Sequence, residues 1–192
     1  MLYIFDMGGV VTSNASIEDQ VCKQLGITRQ DMEDSGWNEL MSLCSDGHIS
    51  VADFWKSFSL RSGVLVKTDW LHWLFHPVLN EGTVKIIKAL KEKGHRLVCG
   101  TNTIESHYRN HTERGDYTFF DQTYASFFMG TSKPNPDFWR IILQAENTDA
   151  GDAVFIDDKA ENCMAASSLG IKAFHFTDAT GLAKDLGLEG SF

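Results

Sequence analysis

The chain has 192 residues, 43% of them hydrophobic and 22% charged, and a formal net charge of -9 at pH 7. That length suits one good core with a modest insertion rather than two full domains. The acidic balance, with no basic run to neutralise a phosphate backbone, excludes a general nucleic-acid binder, and no apolar run approaches the ~20 residues needed to span a membrane. Cys22, Cys44, Cys99 and Cys163 are scattered with no C-x-x-C pair, so buried thiols in a reducing compartment are expected rather than a zinc knuckle or a disulfide scaffold. No basic stretch followed by an apolar one precedes the first strand, and the expected location is the cytoplasm.

Leu2 to Phe5 is an apolar, β-prone run that ends on a lone carboxylate, Asp6, followed by Gly8 and Gly9. The run needs burial, whereas an ionised Asp6 needs water, a donor or a cation, so Asp6 belongs at a strand end. In a parallel α/β sheet the carboxyl ends of the strands are where ligands bind. An Asp in this position can equally be only a turn or cap residue. After Val10 and Val11 the pattern turns polar through Thr12, Ser13 and Asn14, then reads as mainly helical to about Phe75. Ser50 and Asp53 form a capping arrangement ahead of Phe54, Trp55 and Phe58 at helical spacing. Trp37, Trp55, Trp70 and Trp73 fall in this insert and are expected to supply a miniature core.

His76-Pro77 marks the re-entry, since proline disfavours helix at the residue before it. A helix carrying Val84, Ile87 and Leu90, capped by Gly94, precedes a strand from Arg96 to Gly100. A helix is expected after Ile104, a strand over Gln122 to Ser126, a helix over Pro136 to Ala145, a strand over Ala153 to Ile156, a helix over Asn162 to Leu169 and a strand over Ile171 to Phe176. This alternation predicts a parallel α/β sheet.

Three later segments add chemistry. The strand ending at Gly100 runs into Thr101-Asn102-Thr103, which presents a hydroxyl and an amide beside the free N–H groups of the next helix, or else simply caps that helix. Lys133-Pro134 precedes a helix, where an ammonium can neutralise an anion. The strand Ala153 to Ile156 delivers Asp157-Asp158, then Asn162. Two adjacent acids repel one another without a cation or donors, and Mg2+, which prefers oxygen ligands, suits Asp6 with this pair.

In order and spacing these segments resemble the haloacid dehalogenase superfamily along the whole chain: Phe5-Asp6-Met7-Gly8-Gly9-Val10, then Thr101-Asn102, then Lys133-Pro134, then Phe155-Ile156-Asp157-Asp158 with Asn162. The resemblance implies an α/β fold: a Rossmann-like core with a parallel β-sheet, formed by residues 1–13 and 78–192, and an inserted small α-helical cap of the type called C1 over 14–77. It implies a magnesium-dependent phosphatase working through an aspartyl-phosphate on Asp6. Asp6, the Gly8 carbonyl, Asp157 and Asp158 would hold the metal. Thr101, Lys133 and backbone amides would bind the transferring oxygens, with Gly8, Gly9 and Asn102 also at the substrate. The expected partner is a small phosphorylated metabolite, with no nucleic acid or membrane, acted on by a monomer or weak homodimer.

One position departs from the pattern. Phosphatases of this superfamily usually carry a second aspartate two residues after the nucleophile, as general acid/base, where this chain has Gly8. A placed acid or base contributes roughly 10²–10⁴-fold in rate. Either the substrate has a good leaving group, such as a sugar 1-phosphate, or His48, Glu105 or His107 supplies the proton, or the protein binds a phosphorylated ligand without turnover. The opening motif, the short cap with Gly47-His48-Ile49-Ser50 and the Thr-Asn-Thr run are similar to a bacterial subgroup that includes glucose-1-phosphate phosphatase. The acidic pair speaks against a dehalogenase, and Gly8 against a phosphomutase.

Overall fold

Every residue of β1 (Leu2–Phe5) is buried, which a strand achieves only when both faces of its sheet are covered. The computed structural model describes residues 1–13 and 16–188. After β1 come β2 (Thr12–Ser13) and the helices α1 (Glu18–Leu25), α2 (Arg29–Asp34), α3 (Trp37–Ser45), α4 (Val51–Ser62) and α5 (Trp70–Trp73). The chain continues through β3 (Val78–Leu79), α6 (Glu81–Glu92), β4 (Arg96–Thr101), α7 (Glu105–Arg114), β5 (Gln122–Ala125) and α8 (Ser126–Met129). It closes with α9 (Pro136–Ala145), β6 (Ala153–Asp157), α10 (Ala160–Ser168), β7 (Lys172–His175) and α11 (Ala179–Asp185).

Five strands form one parallel sheet in the order β5-β4-β1-β6-β7. Alternation along β1 divides the core: Tyr3 and Phe5 join Ile86, Ile87 and Leu90 of α6 and Leu182 of α11 on one face. Leu2 and Ile4 meet Phe138, Trp139 and Ile142 of α9 and Ala166 of α10 on the other. This is the doubly wound α/β arrangement expected from the alternating pattern. Among the described residues no helix is long and apolar enough to cross a membrane.

Gly100 shows how tightly the second face is packed. A Cβ there would lie 2.9 Å from Ile4 Cγ2 and 3.3 Å from both Ile142 Cδ1 and Phe138 Cε1, so a mid-strand glycine lets α9 sit directly on the sheet.

The helical stretch between β1 and α6 has its own apolar cluster. Trp37, Phe54, Trp55 and Phe58 meet largely edge to face, with ring centroids 5.0–6.2 Å apart, a favourable arrangement for aromatic rings. Ile104, on the loop before α7, joins this cluster and seats the insert on the sheet domain. Two of the four tryptophans expected there, Trp37 and Trp55, are buried, and Trp70 packs partly against them. Trp73 corrects the expectation: it is 63% exposed at the end of α5, where its indole meets the His72 ring edge-on and not the aromatic cluster. The insert leaves and rejoins the sheet through neighbouring strands, since β2 pairs antiparallel with β3, Thr12 opposite Leu79 and Ser13 opposite Val78. The polar stretch at Thr12 and Ser13 is that strand; Asn14, where the insert was expected to start, lies outside the described residues.

The seam between α5 and α7 is rich in histidine. The His107 ring stacks on Phe75 at 3.9 Å, and His72 Nδ1 lies 3.2 Å from the Ser106 carbonyl. Burial, with His111 beside it, pushes the His107 imidazole down to about 3.

Two outcomes follow for stability. Gly100→Val should lower the denaturation midpoint by an amount equivalent to about 1–3 kcal/mol, the usual cost of overpacking; a variant as stable as the parent would contradict the packing described. Because His107 is held neutral, its contribution is complete above its unfolded value of 6.5 and is lost as pH falls toward about 3. Stability measured across that window should fall less steeply in His107→Phe, which keeps the stack and removes the titration, and an unchanged slope would reject this assignment.

Candidate active site

The sheet register brings three strand ends together. Phe5 lies opposite Cys99 on β4 and Ile156 on β6, and the Asp6 N–H donates to the Ile156 carbonyl at 2.9 Å. Asp6 therefore leaves the central strand beside Gly100 and Thr101 on one side and Asp157 on the other. The chain runs to opposite sides of β1 to form β4 and β6, the kind of switch point where α/β sheets bind ligands.

Lys133 reaches this point from the loop before α9, which Asn135 caps and Pro136 begins. Its main chain is gripped by the Asn102 carboxamide: Asn102 Nδ2 donates to the Lys133 carbonyl and the Lys133 N–H donates to Asn102 Oδ1, both at 2.8 Å. The peptide joining Lys133 to Pro134 is cis. The ammonium donates to Asp6 Oδ1 and Asp157 Oδ2 at 2.8 Å and to the Gly100 carbonyl at 2.9 Å. Expected from the sequence as an anion partner, Lys133 here uses its three N–H donors within the protein, and Asn102 holds its backbone.

The electrostatics follow from burial. Desolvation pushes the Asp6 carboxyl up to about 6, with Lys133 opposing and Asp157 adding to the rise. Burial acts to discharge Lys133, but the two facing carboxylates outweigh it and hold its pKa above the ordinary lysine value.

Asp157 is fully buried and well satisfied. Besides Lys133, it accepts from the Lys159 N–H at 2.8 Å and from Asn162 Nδ2 at 3.0 Å on both oxygens. Asp158 differs: its buried Oδ1 has no partner. Its carboxylate lies against Gly9, where a Cβ would come within 2.3 Å of Oδ2 and where φ is +82°, so this position requires glycine on both counts. Oxygens of Asp6, Asp157 and Asp158 lie within 4.8 Å of one another. Three carboxylates against the one Lys133 ammonium leave two negative charges when all are ionised. With hard oxygen donors and an orphaned carboxylate oxygen, that balance fits a divalent cation.

At Gly8 a Cβ would meet nothing within 4 Å, so the place of the missing acid is open space. Thr101 is buried at the end of β4, and its hydroxyl makes only a long 3.5 Å contact to the Asn102 carbonyl. The capping alternative for Thr101 to Thr103 is corrected: Ile104 is the cap residue of α7 and makes no side-chain cap bond. Among the three proton-donor candidates, the His107 ring stacks on Phe75 and burial favours its neutral form, a weak acid. His48 and Glu105 share a cavity of about 250 Å³ with Gly47, Ser50 and Phe127, where the insert meets the sheet domain.

Sequence reasoning missed the polar seam beside that cavity. Ser132, next to Lys133, donates to Asp46 at the end of α3. Ser45 lies 3.2 Å from Ser126 and 3.3 Å from Ser132, and Ser126 in turn bonds both main-chain groups of Thr103. Partners more than 80 residues apart leave no local pattern. Gly47 was the available signal, because its positive φ and the Phe127 carbonyl crowding its Cα mark a close approach.

Comparison with known proteins agrees with this geometry. A fungal relative from Aspergillus oryzae, a sesquiterpene phosphatase, is 26% identical over 95% of this chain and 93% of its own. Among solved structures, a HAD-like family hydrolase from Porphyromonas gingivalis superposes with a TM-score of 0.81 at 22% identity, covering 97% of this chain and 95% of its own. A HAD family enzyme from Bacteroides thetaiotaomicron, in complex with magnesium and inorganic phosphate, does so at 0.76 and 22%, covering 92% and 94%. The sequence model of the haloacid dehalogenase-like hydrolases matches residues 1–170, and the chain belongs to that family.

Proposed function

We propose that this hydrolase is a magnesium-dependent phosphatase of a small phosphorylated metabolite, with Asp6 as nucleophile. The observation that carries the reading is the buried Lys133 ammonium shared by Asp6 and Asp157, with the unpartnered Asp158 oxygen alongside. The phosphatase relative and the magnesium and phosphate bound by the Bacteroides enzyme support it. Asp6, the Gly8 carbonyl, Asp157 and Asp158 would hold the metal, which supplies positive charge to the transferring phosphoryl group.

The Asp6 carboxylate attacks phosphorus, the bond from phosphorus to the ester oxygen breaks, and the leaving oxygen takes a proton from water and departs as the alcohol. Water then attacks the aspartyl-phosphate, returning the carboxylate and releasing inorganic phosphate. Lys133 keeps Asp6 ionised and in place, Thr101 offers its hydroxyl to a phosphoryl oxygen, and Gly9 leaves room for the close approach. Asn102, expected at the substrate, acts by positioning Lys133.

Residues 14–77 form the cap, of the C1 type, and residues 1–13 and 78–192 the core. With Gly8 offering no proton, the leaving alcohol should need little help, and a sugar phosphate, foremost a sugar 1-phosphate, meets that requirement. Gly8 also favours one other reading, a relative that binds a phosphorylated ligand without releasing phosphate.

Asp6→Asn should lower phosphate release at least about 10³-fold while the protein stays folded; substantial residual turnover in a phosphate-release assay would reject the nucleophile. Asp158→Asn should shift the magnesium titration to higher concentration, and an unmoved titration would remove Asp158 from the metal site. Gly8→Asp, which the open space admits, should raise turnover of simple alkyl phosphates about 10-fold, a part of what a placed acid contributes. Equal rates would show that the proton already comes from elsewhere.

A further inference from the structure

A larger cavity, of about 680 Å³, opens between α4, the segment after it and the first turn of α7. No role has yet been given to it. Its size falls within the range of small-molecule sites. Val51, Ala52, Trp55, Leu60, Leu65 and Val66 form its apolar wall, and polar and charged side chains complete the lining. Leu60 is 78% and Leu65 74% exposed, so two large apolar side chains stand uncovered at one mouth, a concentration that marks interaction sites.

Several of the polar groups around it are already engaged. The Asp69 carboxylate accepts from Trp55 Nε1 at 3.2 Å, Ser106 Oγ at 2.7 Å and Arg109 at 3.0 Å. Ser59 Oγ accepts from the Val66 N–H at 3.0 Å. A sugar ring brings many hydroxyls that must find partners on losing water, and these walls offer hydrocarbon instead.

The cavity adjoins the smaller one where the insert meets the sheet domain. Val51 and Glu105 line both it and the smaller cavity at His48. Glu105 follows Thr101 by four residues, which places their Cα atoms no more than about 14 Å apart. A ligand with its phosphate at Asp6 and Thr101 and an extended body of about that length would reach it.

The geometry points to an apolar organic monophosphate as the substrate class, its phosphate at Asp6 and its hydrocarbon body in this cavity. The inference rests on the phosphatase reading and narrows it, since it displaces the sugar phosphate from first place.

The test uses the full chain carrying Asp6→Asn, with magnesium, and calorimetric titration of decyl phosphate and glucose 1-phosphate. Decyl phosphate should bind at least about 10-fold more tightly, and Ala52→Trp, which fills the cavity from an exposed position, should remove most of that difference. Equal affinities, or a decyl affinity untouched by Ala52→Trp, would overturn the inference. A second cavity variant, Leu65→Asp, guards against a local effect of the indole and should weaken decyl phosphate in the same direction. Phosphate release from acetyl phosphate by the parent protein tests the phosphatase reading separately. Release without a decyl preference rejects the cavity's role alone, and decyl binding sensitive to Ala52→Trp without any release rejects the phosphatase and keeps the cavity as a binding site.

Discussion

The Lys133 ammonium, buried between Asp6 and Asp157 with the Gly100 carbonyl as its third acceptor, is the interaction on which the rest of the site depends. Removing charges from water is costly, and such a cluster holds only where each charge has a partner and the spare hydrogen-bonding groups are satisfied. Here the Asn102 carboxamide holds the lysine backbone, while Asn162 and the Lys159 N–H hold Asp157. What is left over is two negative charges and one unpartnered Asp158 oxygen. The same shortage of positive charge that makes the site demanding as a piece of protein suits it to a divalent cation, whose charge would in turn draw an anionic phosphoryl group.

The sheet supplies the rigidity this requires. Three strand ends in register set Asp6, Gly100, Thr101 and Asp157 before any ligand arrives, and Gly100 serves twice, as the opening that lets α9 pack and as the carbonyl that Lys133 grips. The helical insert is built differently. It has its own aromatic core, it is tied to the sheet domain by the paired strands β2 and β3, and it touches the site loops through hydroxyl and carboxylate contacts from Ser45 and Asp46. Apolar contacts anchor it as well, with Ile104 inside its core and His107 stacked on Phe75.

Much of this was legible in the sequence, and for identifiable reasons. Asp6 announced itself by ending an apolar run, and Pro136 to Ala145 matched its helix residue for residue because a proline opens it at a permitted position and its apolar residues recur at helical spacing. Asp157 and Asp158 stood out because adjacent acids after a buried strand need an explanation. The seam from Asp46 to Ser132 was invisible because it joins distant, ordinary polar residues. The two-residue strands β2 and β3 are too short to show a period, and His107 looked like a proton donor because its burial against Phe75 is a tertiary property. Lys133 was expected to meet an anion, and nothing in Lys-Pro alone shows that its donors go to Asp6, Asp157 and the Gly100 carbonyl.

The account stands or falls on a covalent bond between Asp6 and phosphorus. The direct measurement is mass spectrometry of peptides from protein quenched in acid during turnover of acetyl phosphate with magnesium. A phosphoryl group located on Asp6, absent when magnesium is chelated, is the predicted result. Phosphate release at full rate with no adduct on Asp6 under any quench time, or an adduct on another residue, would contradict it.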